Sequence, residues 1–334
     1  MLGVNQALSH SKDAIGIGRK GTINRPYILK APFWTVDTLF YAIPKQSVDL
    51  YFAYGLFQQI DWTKKDESTG VPSLSKAAIN DALVYTPPLQ EQQKIASLYS
   101  NLDRLITLHQ RKYEKLVNLK KAMLDKMFPK NGELVPEVRF SGFSGDWERR
   151  KLGDMVQVRT GFPFNSRDFS SDGELLVITN GNIQDESDTV DISSGNRITV
   201  DNVKLRGEYE LDEHDILVTM DGNVGRTAKV SHHNLILAQR VGRLTARNNR
   251  EYVYQSLNTG RFTEEMTVMS HGGTIKHISL TEIGGYVLDV PRQTEEQERI
   301  GTFLLKLDHL IKLQGRRLEH FLIIKSAFLE KMFV

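Results

Sequence analysis

The stretch EQQKIASLYSNLDRLITLHQRKYEKLVNLKKAMLDKMF occupies residues 91–128 and returns at residues 296–333 as EQERIGTFLLKLDHLIKLQGRRLEHFLIIKSAFLEKMF. Sixteen of the 38 aligned positions are identical at an offset of 205. Neither copy contains proline, which would interrupt a helix, and a long repeat indicates a duplicated structural unit. We therefore expect two long helices, over residues 89–128 and 292–334.

Hydrophobic residues in both predicted helices recur at alternating steps of three and four residues, the spacing of a coiled-coil seam. The predicted seam residues are Ile95, Leu98, Leu102, Leu105, Leu116 and Leu119, and then Ile300, Phe303, Leu307, Leu310, Phe321 and Ile324. Polar residues interrupt the seam near its middle in both helices: His109 and Lys112, and Gln314 and Arg317. Because antiparallel pairing brings these polar layers side by side, we predict an antiparallel coiled coil. A helical hairpin that serves stability alone is the alternative.

The similarity extends upstream of the helices at an offset of 204. Leu74-Ser75 aligns with Ile278-Ser279, and the glycines Gly18 and Gly21 align with Gly222 and Gly225. Met1 aligns with Leu205, so the first copy lacks a counterpart to about residues 147–204. We expect residues 1–88 to be the C-terminal part of a first domain, residues 129–149 a linker, and residues 150–291 a complete second domain.

The composition is that of a globular protein. The 334 residues are 40% hydrophobic, enough for two domains, and 43 basic residues nearly balance 41 acidic ones. There is no cysteine, which excludes disulfides and thiol catalysis and fits a reducing compartment. No apolar run approaches the roughly 20 residues that a membrane helix needs, so we expect a cytoplasmic protein with no membrane contact.

The turns that precede the helices carry a family resemblance. They read Thr86-Pro87-Pro88-Leu89-Gln90-Glu91-Gln92 and Val290-Pro291-Arg292-Gln293-Thr294-Glu295-Glu296-Gln297. The run Val138-Arg139-Phe140-Ser141-Gly142-Phe143 comes before the second domain. Together with the duplicated helix, these motifs resemble the specificity (S, HsdS) subunits of type I restriction-modification systems, in which a target recognition domain followed by such a helix occurs twice.

The resemblance implies a mixed α/β (α+β) fold. Two target recognition domains, the first truncated at its N-terminus, would be separated by two long helices that form a spacer. It also implies a subunit without catalysis, cofactor or metal of its own, which recognises a bipartite target in double-stranded DNA. Its partners would be two methyltransferase (M) subunits and the restriction (R) subunits, which bring S-adenosylmethionine, ATP and Mg²⁺. The alternatives are a truncated or recombination-partner protein that reads one half-site, and a coiled-coil adaptor that does not bind DNA.

Candidate DNA contacts are polar side chains on predicted loops, because Arg pairs with guanine, Asn pairs with adenine, and basic or hydroxyl groups suit phosphate. In the second domain they are Arg159, Asn165, Arg167, Asn180, Asn182, Asn223, Arg226, Arg240, Arg243, His271, Thr274 and Lys276. In the first domain they are Arg19, Lys20, Arg25 and Lys30. An ordinary surface charge is the alternative for each arginine, and an ordinary strand turn is the alternative for the asparagines.

Enzyme motifs are matched only superficially. Gly16 to Gly21 fits G-x-G-x-x-G, but Pro26 follows where a cofactor-binding motif needs a helix. Thr86-Pro87-Pro88-Leu89 lacks the polar acceptor and the aromatic residue of an adenine methyltransferase box. A phosphate-binding P-loop is absent from the sequence. The sequence therefore predicts a binding subunit and not a catalytic one.

Overall fold

The computed structural model describes residues 10–66, 68–130, 132–185, 187–199, 203–246 and 248–332. The chain divides into two compact units. The first unit combines the described residues up to Lys115 with those from Lys312 onward, and the second unit comprises Leu116–Ile311. Both long helices contribute residues to both units.

The first unit contains an antiparallel sheet with the strand order β2-β1-β3. Its strands are β1 (Ala14–Gly18), β2 (Tyr27–Leu29) and β3 (Leu39–Ala42). Its helices are α1 (Leu50–Gln59), a 3₁₀ turn (Trp62–Lys65), α2 (Lys76–Asn80) and the start of α3 (Leu89–Lys126). Trp62 is 1% exposed and packs with Ile17, Ile23 and Leu74. Its indole N–H donates to the Phe57 carbonyl oxygen at 2.8 Å, so the buried ring leaves no donor unpaired.

The second unit is built on an antiparallel sheet with the order β5-β11-β8-β9. Its elements are β4 (Glu148–Lys151), α4 (Leu152–Met155), β5 (Val156–Thr160), β6 (Leu175–Ile178), β7 (Arg197–Ile198), α5 (Val203–Tyr209), β8 (Asp215–Thr219), β9 (Thr227–Lys229), β10 (Leu235–Leu237), β11 (Val241–Ala246), α6 (Arg250–Leu257), α7 (Arg261–Met269), α8 (Leu280–Gly285), β12 (Val287–Val290) and most of the first half of α9 (Thr294–Met332). A sheet in the order β10-β6-β7 and the pair β12-β4 complete it. Strands β6 and β8 are buried along their whole length, as expected for strands covered on both faces.

The two long helices and their antiparallel pairing are confirmed. Helices α3 and α9 have 38 and 39 residues. In the first unit, His109 Nδ1 lies 2.8 Å from Gln314 Oε1, so the central polar layers meet as predicted. Lys325 Nζ pairs with Asp103 Oδ1 at 2.7 Å, and the order of these contacts makes the helices antiparallel. Lys112 and Arg317, the other two polar residues of the predicted layer, are exposed.

Four of the twelve predicted seam residues face outward instead of inward. Leu98, Leu105, Leu119 and Leu310 are 38–44% exposed, and the residues that follow Leu98 and Leu105, Tyr99 and Ile106, face inward in their place. In α9 the buried positions are Ile300, Leu304 and Leu307, with Ile311 half-buried. Leu102, Ile300 and Leu307 are buried as predicted, and Ile95, Leu116, Phe303, Phe321 and Ile324 are half-buried.

Packing against the globular part of each unit explains this rotation. A side chain at Gly301 would place its Cβ 2.9 Å from the backbone nitrogen of Tyr252, so the backbone of α9 runs directly against α6. In the first unit Ala96 is only 5% exposed, and Tyr99 reaches the Gln58 side chain on α1. The heptad spacing predicts only the face between the two helices and not this second face, which packs against the globular part of each unit.

The two copies share a core of equivalent elements. β1 and β8 both have five residues and two antiparallel neighbours, and Ser75 and Ser279 cap the equivalent helices α2 and α8. The Gly21 N–H donates to the Pro72 carbonyl at 2.7 Å, as the Gly222 N–H donates to the Lys276 carbonyl at 2.9 Å. Gly21 is therefore the counterpart of Gly222, which corrects the alignment of Gly21 with Gly225. The second copy has three more residues between strand and hairpin, and a gapless offset misses that insertion.

Candidate nucleic-acid interface

Loops that are far apart in the sequence meet at one end of β8 in the second unit. The Met220 N–H lies 3.3 Å from both the Asn180 side-chain oxygen and the Arg240 carbonyl oxygen. The Gly222 N–H bonds to Lys276, which brings the 271–277 hairpin to the same place. We call residues 179–182, 220–226, 239–240 and 271–277 the loop edge. Of the predicted contacts, it contains Asn180, Asn182, Asn223, Arg226, Arg240, His271, Thr274 and Lys276.

Asp221 joins Arg240 and His277 at the centre of the loop edge. Its Oδ2 accepts from Arg240 Nη1 at 2.9 Å, and its Oδ1 lies 2.5 Å from His277 Nδ1. Burial raises the pKa of Asp221, but the hydrogen bonds from Arg240 and His277 outweigh this effect and leave the pKa below its ordinary value. The ionised carboxylate therefore holds an arginine whose side chain is 65% exposed. Asp221 and His277 were not among the predicted contacts, although each lies within a glycine-containing segment that was.

Arg226 and Asn223 interact with each other, as their spacing on one tight turn suggests. Arg226 also forms an ion pair with Asp185, and with its amide oxygen turned toward the guanidinium, Asn223 accepts from Arg226 Nη2 at 2.6 Å. The Thr219 hydroxyl holds this turn by donating to the Asn223 carbonyl at 2.5 Å. The pair is thus preorganised at the edge, but Asp185 partly neutralises Arg226.

The 271–277 hairpin presents exposed donors on a short closed loop. Backbone hydrogen bonds of 2.9 and 2.8 Å join His271 and His277 in both directions. Gly272 has φ +105°, and a Cβ there would collide with the Ile275 carbonyl oxygen, so this turn requires glycine. Thr274 and Lys276 are exposed, and Ile275 is 65% exposed. His271 Nε2 lies 2.8 Å from Glu282 Oε1, which fixes the imidazole beside α8.

The remaining candidates on the β5 side lie outside the loop edge. Asn165 caps the 3₁₀ turn Ser166–Asp168, and its N–H donates to Asp168 Oδ2 at 2.7 Å. Arg167 is exposed on that turn. Phe164, next to Asn165, lines one cavity with Asn180 and Arg240, so this loop borders the edge. Arg159 is exposed on β5, where its side chain contacts Gln157.

Two predicted DNA contacts have a structural role instead. Asn182 is 5% exposed, and its amide group donates to the Asp191 and Ser194 carbonyls and accepts from Thr179. The Arg243 side chain is 11% exposed and pairs with buried Asp215 at 2.8 Å. Burial and these contacts leave the side chains of Asn182 and Arg243 unavailable for base recognition.

The first unit has an equivalent edge with different chemistry. The hydrogen bonds from Gly21 to Pro72 and from Leu74 to Arg19, at 2.7 and 2.9 Å, place Lys20 where the second unit has Asp221. The bond from Arg19 N–H to the Thr38 carbonyl, at 2.9 Å, likewise places Thr38 in the position of Arg240. Lys20 forms a bridge with Ser73, as Asp221 does with His277. The carboxylate-held arginine of the second unit is thus replaced by lysine and threonine.

The predicted contacts of the first unit lie around this edge and beside it. Arg19 is exposed, donates to the Asp37 carbonyl at 3.3 Å and lies 5.7 Å from the Phe40 ring centre. Lys20 and Arg25 are exposed. Lys30 pairs with Asp13 at 2.7 Å, and this hydrogen bond raises the pKa of Lys30 and lowers that of Asp13. Within the described residues, no carboxylate pairs with Arg19, Lys20 or Arg25, so these three side chains are more available for a DNA contact than Lys30.

Two further findings concern metals and membranes. In the part of the chain that the structure describes, histidine and carboxylate side chains do not gather in groups of three or more around a potential metal position. Across the same residues, each helix is too short or too polar to span a bilayer.

Comparison with known proteins gives a consistent result. The family model for the type I restriction modification DNA specificity domain matches residues 2–118 and 144–320. The type I restriction enzyme MjaVIII specificity subunit of Methanocaldococcus jannaschii is 24% identical over 292 residues, which cover 81% of this chain and 66% of that protein. A putative type I restriction enzyme MjaX specificity subunit from the same organism is 23% identical over 74% of this chain and 57% of its own length. This chain thus spans about two thirds or less of either relative.

Solved structures share the fold. The S subunit of a type I restriction-modification system from M. genitalium matches with a TM-score of 0.70 and 15% identity, over 98% of this chain and 84% of its own. The HsdS subunit from Thermoanaerobacter tengcongensis matches with a TM-score of 0.50 and 16% identity, over 96% and 80%. The mixed fold with paired long helices is therefore confirmed. Since the family model matches most of its residues, the chain belongs to the type I restriction modification DNA specificity domain family.

Proposed function

We propose that this chain directs a type I restriction-modification complex to a bipartite DNA sequence and is not itself catalytic. The second unit would read one half of the target through its loop edge, and the first unit would read the other half. The observation that supports this role best is the duplication of the edge: equivalent strands, glycine turns and hairpins recur in both copies with different side chains. Two different half-sites need two readers with different side chains, because contacts to the bases carry the sequence information.

The proposed contacts follow from exposure and pairing. In the second unit they are Asn180, Asn223, Arg226, Arg240, His271, Thr274 and Lys276, with Arg159, Asn165 and Arg167 beside the edge. In the first unit they are Arg19, Lys20 and Arg25, with Lys30 as a weaker candidate. Residues 1–88 and 150–291 would be the recognition domains and the long helices the spacer between them.

The long helices would also dock two methyltransferase subunits. Leu105 and Leu108 are 38% and 59% exposed on α3, and their counterparts at an offset of 205, Leu310 and Leu313, are both 44% exposed on α9. Leucines three residues apart are neighbours on a helix surface, and contiguous exposed apolar surface marks protein–protein interaction sites. Because the pair occurs once on each helix, it supports two equivalent docking sites. The M subunits would bring S-adenosylmethionine, and R subunits would join them with ATP and Mg²⁺.

Co-expression with the cognate M subunits tests both parts of this proposal. We expect a stable complex, and single-molecule methylation mapping should then reveal a bipartite motif that depends on this chain. The double variant Leu105→Lys, Leu310→Lys should remain folded but lose the M subunits, because lysines would face the apolar partner surface. Ser97→Lys with Thr302→Lys is the matched control, since these are equivalent and exposed positions. Unchanged assembly of the leucine variant would refute the docking surface.

One observation favours a narrower function. The described part of the first unit contains no counterpart to the sheet β10-β6-β7 of the second unit. If that sheet is needed for recognition, the first unit contributes no sequence preference. Methylation mapping would then give a motif with a single specified half, whereas a motif with two specified halves would exclude this narrower function. Complexes that assemble but do not bind duplex DNA would indicate a coiled-coil adaptor.

A further inference from the structure

Arg240 occupies a backbone conformation that does not suit its side chain. Its φ is +67°, in the left-handed region that glycine adopts most easily, and it lies in the turn between β10 and β11. A residue with a side chain is strained there, and such strain commonly marks a functional position. Glycine would form the same turn without strain, so the turn itself does not require an arginine.

The side chain of Arg240 is exposed and yet held in place. Asp221 accepts from Nη1 at 2.9 Å while its other oxygen contacts His277 at 2.5 Å. Within the described residues, Nη2 and Nε of Arg240 have no hydrogen-bond acceptor. A guanidinium that is fixed by a carboxylate, with further N–H groups pointing away from it, has the donor pattern that matches O6 and N7 of guanine. Lysine or a free arginine would contact phosphate without such orientation.

The inference rests on the proposed function, in which the second unit reads DNA. We propose that Arg240 determines specificity for one guanine in the half-site that the second unit reads, and that Asp221 is its positioning residue. The first unit has Lys20 and Thr38 at the two equivalent positions. Its half-site should therefore not contain a guanine that is recognised in this way, and changes at Arg240 should leave that half of the motif unaffected.

The test uses Arg240→Gly in the full chain, co-expressed with its M subunits and mapped by single-molecule methylation sequencing. Glycine removes the guanidinium and relieves the backbone strain, so the variant should assemble normally. The control is Asn234→Gly, because Asn234 has a similar φ of +60° at the opposite end of β10. Asp221→Asn keeps the shape of the carboxylate but removes its charge, and it reports on positioning.

We expect Arg240→Gly to make one guanine of one half-site degenerate, with the preference for that base falling about 10- to 100-fold. Asp221→Asn should relax the same base to a smaller extent, and Asn234→Gly should keep the wild-type motif. A motif that is unchanged in Arg240→Gly would overturn the assignment, as would relaxation at a base other than guanine. Absence of any motif with the wild-type chain would instead overturn the proposed function, and this inference with it.

Discussion

Because α9 is rotated relative to the heptad prediction, substitutions of two leucines that lie three residues apart should differ strongly in their effect on stability. The heptad spacing places Leu307 and Leu310 in the same seam. In the structure, Leu307 is 5% exposed and belongs to the core of the second unit with Ile300 and Leu304, whereas Leu310 is 44% exposed. Leu307→Ala should therefore destabilise the second unit strongly, and Leu310→Ala should not.

The magnitude follows from what each substitution leaves behind. Removing a buried leucine side chain costs about 2–5 kcal/mol, because burial is lost and a cavity remains. At Leu310 no cavity forms in the core, so the change should stay within about 0.5–1 kcal/mol. Alanine favours helix at least as well as leucine. A large loss for Leu307→Ala would thus come from packing and not from helix propensity.

Urea unfolding followed by tryptophan fluorescence measures the difference. Trp147 is 1% exposed in the core of the second unit, beside Phe128 and Tyr252, and reports on that unit. Trp34 and Trp62 both lie in the first unit, so a Trp34→Phe, Trp62→Phe background leaves Trp147 as the single tryptophan and isolates the signal of the second unit. The transition midpoint of the second unit should fall clearly for Leu307→Ala alone. Equal shifts of the midpoint for the two variants, or a larger shift for Leu310→Ala, would refute the rotation of α9.

Three further variants test the contacts between helices and globular parts. Asp308→Ala should destabilise the second unit by about 2–4 kcal/mol. The substitution removes the buried carboxylate that accepts from Gln255 at 2.7 Å and pairs with Lys120. Asp308→Asn should recover part of this loss of stability in the same urea assay. Gly301→Val should lower the thermal midpoint of the chain through a collision with the Tyr252 backbone, and a normal midpoint would show that α9 does not pack closely there. Gln92→Ala should loosen the start of α3, since the Gln92 amide donates to the Pro87 carbonyl at 2.8 Å and accepts from the Asp49 N–H at 3.0 Å; hydrogen exchange at the first turns of α3 should increase, while α9 serves as the internal control.

The Glu-Gln motif shows how a sequence signal acquires a physical meaning. Its repetition marks the start of both long helices in the sequence. The structure shows that Gln92 and Gln297 both donate to the carbonyl of the preceding proline, at 2.8 and 2.9 Å. Gln92 also accepts from the cap residue of α1, and Gln297 accepts from Asn249, the cap residue of α6. Each glutamine thus fastens a long helix to its own globular unit.

The sequence by itself determined the duplication, the two long helices, their antiparallel pairing and the family, because these depend on periodic patterns and on motifs within single segments. The central layer of His109 and Gln314 was predictable for the same reason, since a polar residue in an apolar seam sets the register.

Only the tertiary structure decided which face of each helix is buried and which loop residues are free. A heptad repeat describes one contact face, whereas α9 has a second face against α6, and this contact rotates Leu310 outward. Likewise, an arginine in a sequence carries no sign of its partner. Arg243 is held by buried Asp215, while Arg240, three residues earlier, is presented to solvent by Asp221. That difference arises from strands and loops distant in the chain, which a local sequence pattern cannot encode.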